Sequence, residues 1–366
     1  MLMDPEDSVI VEEFTYPSAL AAMHPLQVNT VGIKMDREGM LDTDLEEVLS
    51  NWELSPRGRG KRPRVMYTVT YPSAPIINFP ADNPSVGQNP TGGTLSLERR
   101  RKIYAICQKY DILIVEDDPY YFLQMPEYGS DCVYPTSEKD FLDSLIPSYI
   151  RLDFDGRVLR CDSFSKVIAP GSRAGWIIAA PIFIERLTRH SEVGTQATSG
   201  WAQSFIAKLL VDEWKMKGWI EWLRGLGFEY TKRRDYMVKA FHKEFGVDEA
   251  DEVEEGGYVV VSQRKALISF VPPMAGMFLW IRIWVELHPR YDGNNSIELM
   301  EELWKRIAVS EDLLIAPGRL FAASDEQRDE AAKYFRVAFS VGENDQVDEM
   351  VKRFRRAIGW FFQGGT

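Results

Sequence analysis

Apolar positions in the first half of the chain fall into short runs separated by helical patterns. Val9 to Val11, Thr30 to Ile33, Val65 to Val69, Leu113 to Val115, Val158 to Leu159 and Trp176 to Ala179 read as strands. Leu97 to Tyr110 carries helical spacing behind an entry at Thr94 to Ser96. This alternation predicts an α/β architecture around a largely parallel sheet. Leu113 to Val115 ends in Glu116, Asp117 and Asp118, as expected of a buried strand whose carboxyl end opens onto a site.

From Glu192 onward the pattern is mainly helical, through Trp201 to Trp214 and Trp219 to Phe245. Pro272 to Ile283 and Tyr334 to Ser340 read as strands of a second unit, and Met350 to Phe362 as a closing amphipathic helix. Asp248 to Gly257 reads as a solvated acidic connection.

Composition narrows the class. At 366 residues and 45% hydrophobic content the chain has room for two domains and a real core. A net charge of −12 argues against a nucleic-acid partner. No apolar run approaches the ~20 residues of a membrane helix, and the acidic start does not read as a signal peptide. Cys107, Cys132 and Cys161 lack C-x-x-C spacing and suit a reducing cytoplasm. The four histidines, His24, His190, His242 and His288, show no metal-ligand spacing, so no metal is expected.

Candidate chemistry concentrates between Arg160 and Trp176, R-C-D-S-F-S-K-V-I-A-P-G-S-R-A-G-W. Lys166 follows a strand end and is flanked by Ser163, Ser165 and Arg173. A nucleophilic amine needs cationic neighbours or burial. A phosphate beside it needs hydroxyls and a forked cation. The combination fits a lysine in Schiff-base linkage to pyridoxal phosphate. S-x-x-K also occurs in penicillin-binding enzymes, but their S-D-N and K-T-G partners are missing here in the expected order.

N-P-T-G at Asn89 to Gly92, D-D-P-Y-Y at Asp117 to Tyr121, S-F-S-K at Ser163 to Lys166 and G-S-R at Gly171 to Arg173 follow in that order. The set resembles fold-type I pyridoxal-phosphate aminotransferases, most closely the fungal aromatic, kynurenine and 2-aminoadipate subgroup. The resemblance implies a three-layer α/β/α mostly parallel sheet with a smaller α+β C-terminal domain. Residues 1–190 would form the cofactor-binding domain, and 191–366 the connecting helix and small domain. It implies transamination of aromatic or related amino acids with a 2-oxo acid acceptor such as 2-oxoglutarate, by a homodimer.

The resemblance also assigns roles. Lys166 is the Schiff-base lysine and proton shuttle. Asp118 is placed under the pyridine nitrogen, because Tyr121 then falls at the family spacing for the phenol on the 3′-oxygen. Solvation or helix capping is expected of Glu116 and Asp117. Asn89 donates to the same 3′-oxygen and borders the substrate. Tyr16 stacks on the ring, while Phe14 is expected in the core. Ser163, Ser165 and Arg173 hold the phosphate, and Arg336 in Y-F-R-V-A-F-S clasps the substrate carboxylate.

Two departures stand out. Relatives carry an N-terminal arm, a first strand and a phosphate-binding helix N-terminus before the region matching Met1 to Glu13. They also pass from Y-T-V to G-Q-N-P-T-G in about two residues, where Thr70 to Val86 intervene here. Both are expected to reflect an imperfect gene model. A late start would expose a sheet edge. Two rival readings follow: a catalytically impaired fragment of the same fold, and the effector module of a transcription regulator. The second lacks the basic segment such a regulator carries.

Overall fold

The computed structural model describes residues 1–36, 38–58, 60–69, 88–92, 95–129, 134–246, 258–262, 265–340 and 342–365. The insertion at Thr70 to Val86, the acidic stretch Asp248 to Gly257, and Cys132 lie outside the described residues.

Six strands form the first sheet: β1 (Ser8–Glu12), β2 (Asn29–Ile33), β3 (Val65–Thr68), β4 (Leu113–Asp117), β5 (Val158–Ser163) and β6 (Gly175–Ile178). Their order is β2-β1-β3-β4-β5-β6. The first five run parallel, and β6 pairs antiparallel to β5. Every strand expected here from the apolar runs is present, within one residue at the carboxyl ends of β3 and β6, but β4 and β5 run further, to Asp117 and Ser163. That extension carries polar side chains onto the sheet itself.

After the short helix α1 (Pro17–Met23), α2 (Asp42–Ser50) and α3 (Leu97–Lys109) pack on one sheet face, with Leu45, Ile103, Tyr104 and Cys107 against Ile10, Met66, Ile114 and Val158. The α3 entry matches the expectation: Ser96 accepts a hydrogen bond from Arg99 N and caps the helix. The other face, with Val9, Val65 and Tyr67, packs toward Met237, Val238 and Phe241 of the long helix Lys215–Phe245.

The same core continues into a second sheet of five strands: β7 (Tyr258–Ser262), β8 (Lys265–Phe270), β9 (Phe278–Ile283), β10 (Ala316–Pro317) and β11 (Tyr334–Ala338). Their order is β10-β11-β9-β8-β7. The expected strand Pro272 to Ile283 begins only at Phe278, after a turn in which Met125 N bonds Met274 O. The closing helix starts earlier than expected, at Asn344, because Glu343 and Gln346 form a capping box. Between Gly200 and Phe245 the helix passes through a π-helical stretch, Lys208–Trp214.

Glu12, at the end of β1, is fully buried and accepts hydrogen bonds from Thr68 Oγ1 (2.5 Å) and Val69 N (3.2 Å). Burial pushes its carboxyl up to about 7. Burial also lifts neighbouring Glu13 to about 7. A raised carboxyl favours the folded state fully below the ordinary carboxylate range, and that advantage is lost as pH rises through 7. Melting temperature is therefore expected to fall between pH 5 and 8. Glu12→Gln should flatten that fall by on the order of 3 kcal/mol, read by thermal unfolding across pH. A slope unchanged by the substitution would contradict this.

Candidate active site

Strand parity sorts the acids at the end of β4. Successive side chains of a strand point to opposite faces. Asp117 therefore shares a face with Val115, and Glu116 with Asp118. Val115 sits beside Tyr67 of β3, and Asp117 beside Cys161 of β5. Tyr67 Oη donates to Asp117 Oδ2 at 2.6 Å. Burial pushes the Asp117 carboxyl up, and the Tyr67 hydrogen bond opposes that shift.

On this face the chain turns into Tyr120, which is buried. Lys166 Nζ lies 5.7 Å from the Tyr120 ring centre. The same ring meets Phe278 edge-on, with centroids 6.1 Å apart. Arg336 stacks over Phe278 at 4.1 Å and Phe321 at 4.9 Å. Its Nη1 donates to Asn89 Oδ1 at 3.0 Å. A continuous path thus joins Lys166, Tyr120, Phe278, Arg336 and Asn89. Burial lifts the Tyr120 phenol well above its ordinary range, Arg336 opposes this, and the charges of Asp117 and Tyr16 add to it. Tyr16 stands at the start of the helix Pro17–Met23, part-exposed. Phe14 is in the core as expected, packed on Trp280 and Tyr334.

Two local devices hold the ends of this path. Gln88 Nε2 donates to Phe14 O (2.7 Å), while its Oε1 accepts from Thr91 N (3.1 Å) and Oγ1 (2.9 Å). The Asn89 turn is thereby pinned to the chain leaving β1. Lys166 sits in a turn where Phe164 O accepts from Val167, Ile168 and Ala169 N. Trp222 Nε1 donates to Val167 O at 2.6 Å and fixes that turn to the long helix. Ser163 Oγ accepts from Ser165 N (3.0 Å), and Arg173 Nη1 reaches Ser165 Oγ at 3.5 Å. Arg173 has φ +48, in the left-handed region, and closes the short turn Pro170–Ser172. The structure therefore brings Ser163, Ser165 and Arg173 together beside Lys166.

Asp118 and Tyr121, expected at the ring nitrogen and ring oxygen, are not brought to this face. Both lie with the opposite, helix-packed face. Asp118 is fully buried, with Oδ2 3.5 Å from Arg160 Nη1. Arg160 also grips Asp162 through Nε (2.7 Å) and Nη2 (2.9 Å). Its guanidinium stacks on Tyr121 at 4.3 Å. Glu116, expected to be solvated or to cap a helix, is buried and paired with Arg100 at 3.2 Å. The three-residue interval that selected Asp118 and Tyr121 relates Asp117 and Tyr120 equally well. Parity places Asp117 on the face of Tyr67, and the approach of Lys166 to the Tyr120 ring places Tyr120 on the same side. Sequence reasoning missed Tyr67, Tyr120 and Gln88. The length of β4 is the signal that would have exposed the first two.

These contacts gather a primary amine, a carboxylate, a phenol, an amide, two hydroxyls and two guanidinium groups. That donor set fits pyridoxal phosphate: an amine for the aldehyde, an acid for the ring nitrogen, phenol and amide for the ring oxygen, and hydroxyls with a cation for the phosphate. Among the described residues there is no cluster suited to a metal ion, and no helix is long and apolar enough to cross a membrane.

The fold and donor set together define a pyridoxal-phosphate-dependent transaminase. Residues 85–354 match the family described as aminotransferase class I and II, and the chain belongs to it. It is 37% identical over 359 residues to an aromatic amino acid aminotransferase of Schizosaccharomyces pombe, covering 97% of this chain and 68% of that one. An L-tyrosine:2-oxoglutarate aminotransferase of Serpula lacrymans is 34% identical, over 98% of this chain and 70% of the relative. Among solved structures, aminotransferase Aro8 of Candida albicans superposes with a TM-score of 0.80 at 34% identity, covering 98% of this chain and 69% of that one.

Proposed function

We propose that the chain transfers the amino group of aromatic L-amino acids to a 2-oxo acid such as 2-oxoglutarate. The observation that carries this reading is the convergence of Lys166, Asp117, Tyr120, Asn89 and Arg336 on one face. Bound there, pyridoxal phosphate supplies an aldehyde for the amine and a ring that takes up electrons.

The residues of the chain do the rest. Lys166 Nζ carries the proton to and from the substrate α-carbon. Asp117 holds the proton at the ring nitrogen, the role the spacing had suggested for Asp118. Tyr120 and Asn89 orient the ring oxygen. Ser163, Ser165 and Arg173 bind the phosphate, and Tyr16 covers the ring face. The planar fork of Arg336 binds the substrate carboxylate. The rings of Phe278 and Phe321 beside Arg336 and the aromatic activities named for the relatives support the aromatic preference.

The test is a donor screen with pyridoxal phosphate and 2-oxoglutarate present, using tyrosine, phenylalanine, tryptophan, kynurenine, 2-aminoadipate and alanine. Aromatic donors are expected to turn over fastest. Preference for alanine, or no turnover at all, would contradict the reading.

A homodimer is part of this reading. Ile177, Ile178 and Ile182 are exposed on and after β6, as are Trp201, Phe205, Val211 and Met216 further along. Exposed apolar surface of this extent supports a partner subunit. Light scattering is expected to give a dimer mass, and a monodisperse monomer would refute that. The free thiols of Cys107 and Cys161 support a reducing, cytoplasmic setting.

A further inference from the structure

The carboxylate proposed to hold the ring-nitrogen proton stands in an unfavourable place for a charge. It is largely buried, which disfavours ionisation. The charged and titratable groups around it offer little relief. Asp162 on β5 adds like charge. Cys161, its register partner, is pushed up to about 12 by burial and stays neutral. Glu12 on β1 and Tyr120 beyond β4 are acidic groups whose own ionisation burial suppresses. Arg160 is committed to Asp118 and Asp162 on the far face.

Tyr67 is the exception. It is buried, lies one strand away on the same face, and donates its hydroxyl to Oδ2 at 2.6 Å. A hydrogen bond to an ionised group in a low-dielectric setting is stronger than a neutral one. The contact also occupies one carboxylate oxygen. Among the described residues no other hydrogen bond reaches Asp117, so Oδ1 remains for the ring.

We propose that Tyr67 is a positioning residue: its hydroxyl fixes the orientation of Asp117 and favours its ionised form, so that one oxygen faces the ring nitrogen with full charge. Tyr67 would act only through Asp117, the group its hydroxyl bonds. The proposal rests on Asp117 being the ring-nitrogen partner.

Tyr67→Phe removes one oxygen and leaves the packing. The readout is the 15N chemical shift of the ring nitrogen in protein loaded with 15N-labelled pyridoxal phosphate. In Tyr67→Phe the resonance should move toward the neutral-pyridine value. Turnover should fall about ten- to hundredfold, as for loss of a bond to a charged group, with KM for the amino donor little changed. Site-specific 3-fluorotyrosine at position 67 is a stronger donor and should move the resonance the other way; it also serves if the Phe variant folds poorly. In an Asp117→Asn background Tyr67→Phe should change nothing further. An unmoved resonance in both position-67 variants, or an equal Tyr67→Phe effect with and without Asp117, overturns the proposal. If Asp117→Asn alone leaves the resonance where it was, the assignment of Asp117 itself fails, and that outcome is separate from the first two.

Discussion

Asp117→Asn is expected to lower turnover by about 10²–10³, the usual cost of removing one preorganised electrostatic group from an active site. The amide cannot hold the ring-nitrogen proton, so the ring loses its capacity to take up electrons. Covalent attachment at Lys166 does not need that proton and should persist. The informative comparison is Asp118→Asn, one residue along. Its side chain lies among Arg160, Glu116 and Arg100 on the far side of the sheet. In folded protein its turnover should stay close to that of the parent. Steady-state kinetics on both variants, with cofactor loading measured separately, checks the pair. If Asp118→Asn abolished turnover in folded protein while Asp117→Asn did not, the parity assignment would be wrong.

Arg160→Met is expected to destabilise the protein by about 3–5 kcal/mol, because removing one member of a buried ionic network leaves the others uncompensated. Arg160 bridges Asp118 after β4 and Asp162 on β5, and stacks on Tyr121. It therefore ties the two strand ends that carry Asp117 and Ser163. Burial pushes the Asp118 carboxyl well up and the Arg160 charge opposes this. With the arginine gone, that acid should become neutral. Asp118→Asn combined with Arg160→Met should cost less than the sum of the single changes, since the pair shares one interaction. Urea unfolding of the single and double variants measures this. Strict additivity would show that the network is not coupled.

Much of the fold was legible because buried parallel strands write continuous apolar runs. Val9 to Val11 and Val158 to Leu159 are examples. Strand ends were less legible. Nothing in V-E-D-D-P marks where pairing stops, and the faces of Asp117 and Asp118 depend on that point. Glu116 looked like a solvated acid, yet it is buried against Arg100. Arg100 lies on the apolar stripe of α3 with Ile103, Tyr104 and Cys107, so helical spacing already implied a buried cation needing an acid. Strands β7 and β8 were not foreseen, because their short apolar runs follow directly on the acidic stretch that reads as a connection. The Arg336–Asn89 contact spans 247 residues, and local patterns carry no information on such a pairing. Likeness to a family placed both residues at the substrate, without predicting the bond between them. The segment Ser163 to Arg173 was legible for the opposite reason: its serines, lysine and arginine are neighbours in sequence and in space.

Borohydride reduction of the cofactor-loaded protein, followed by peptide mapping, tests the central claim most directly. A phosphopyridoxyl group on the peptide carrying Lys166, absent from Lys166→Ala protein, is the expected result. Label on another lysine, or none on folded protein saturated with pyridoxal phosphate, would contradict it.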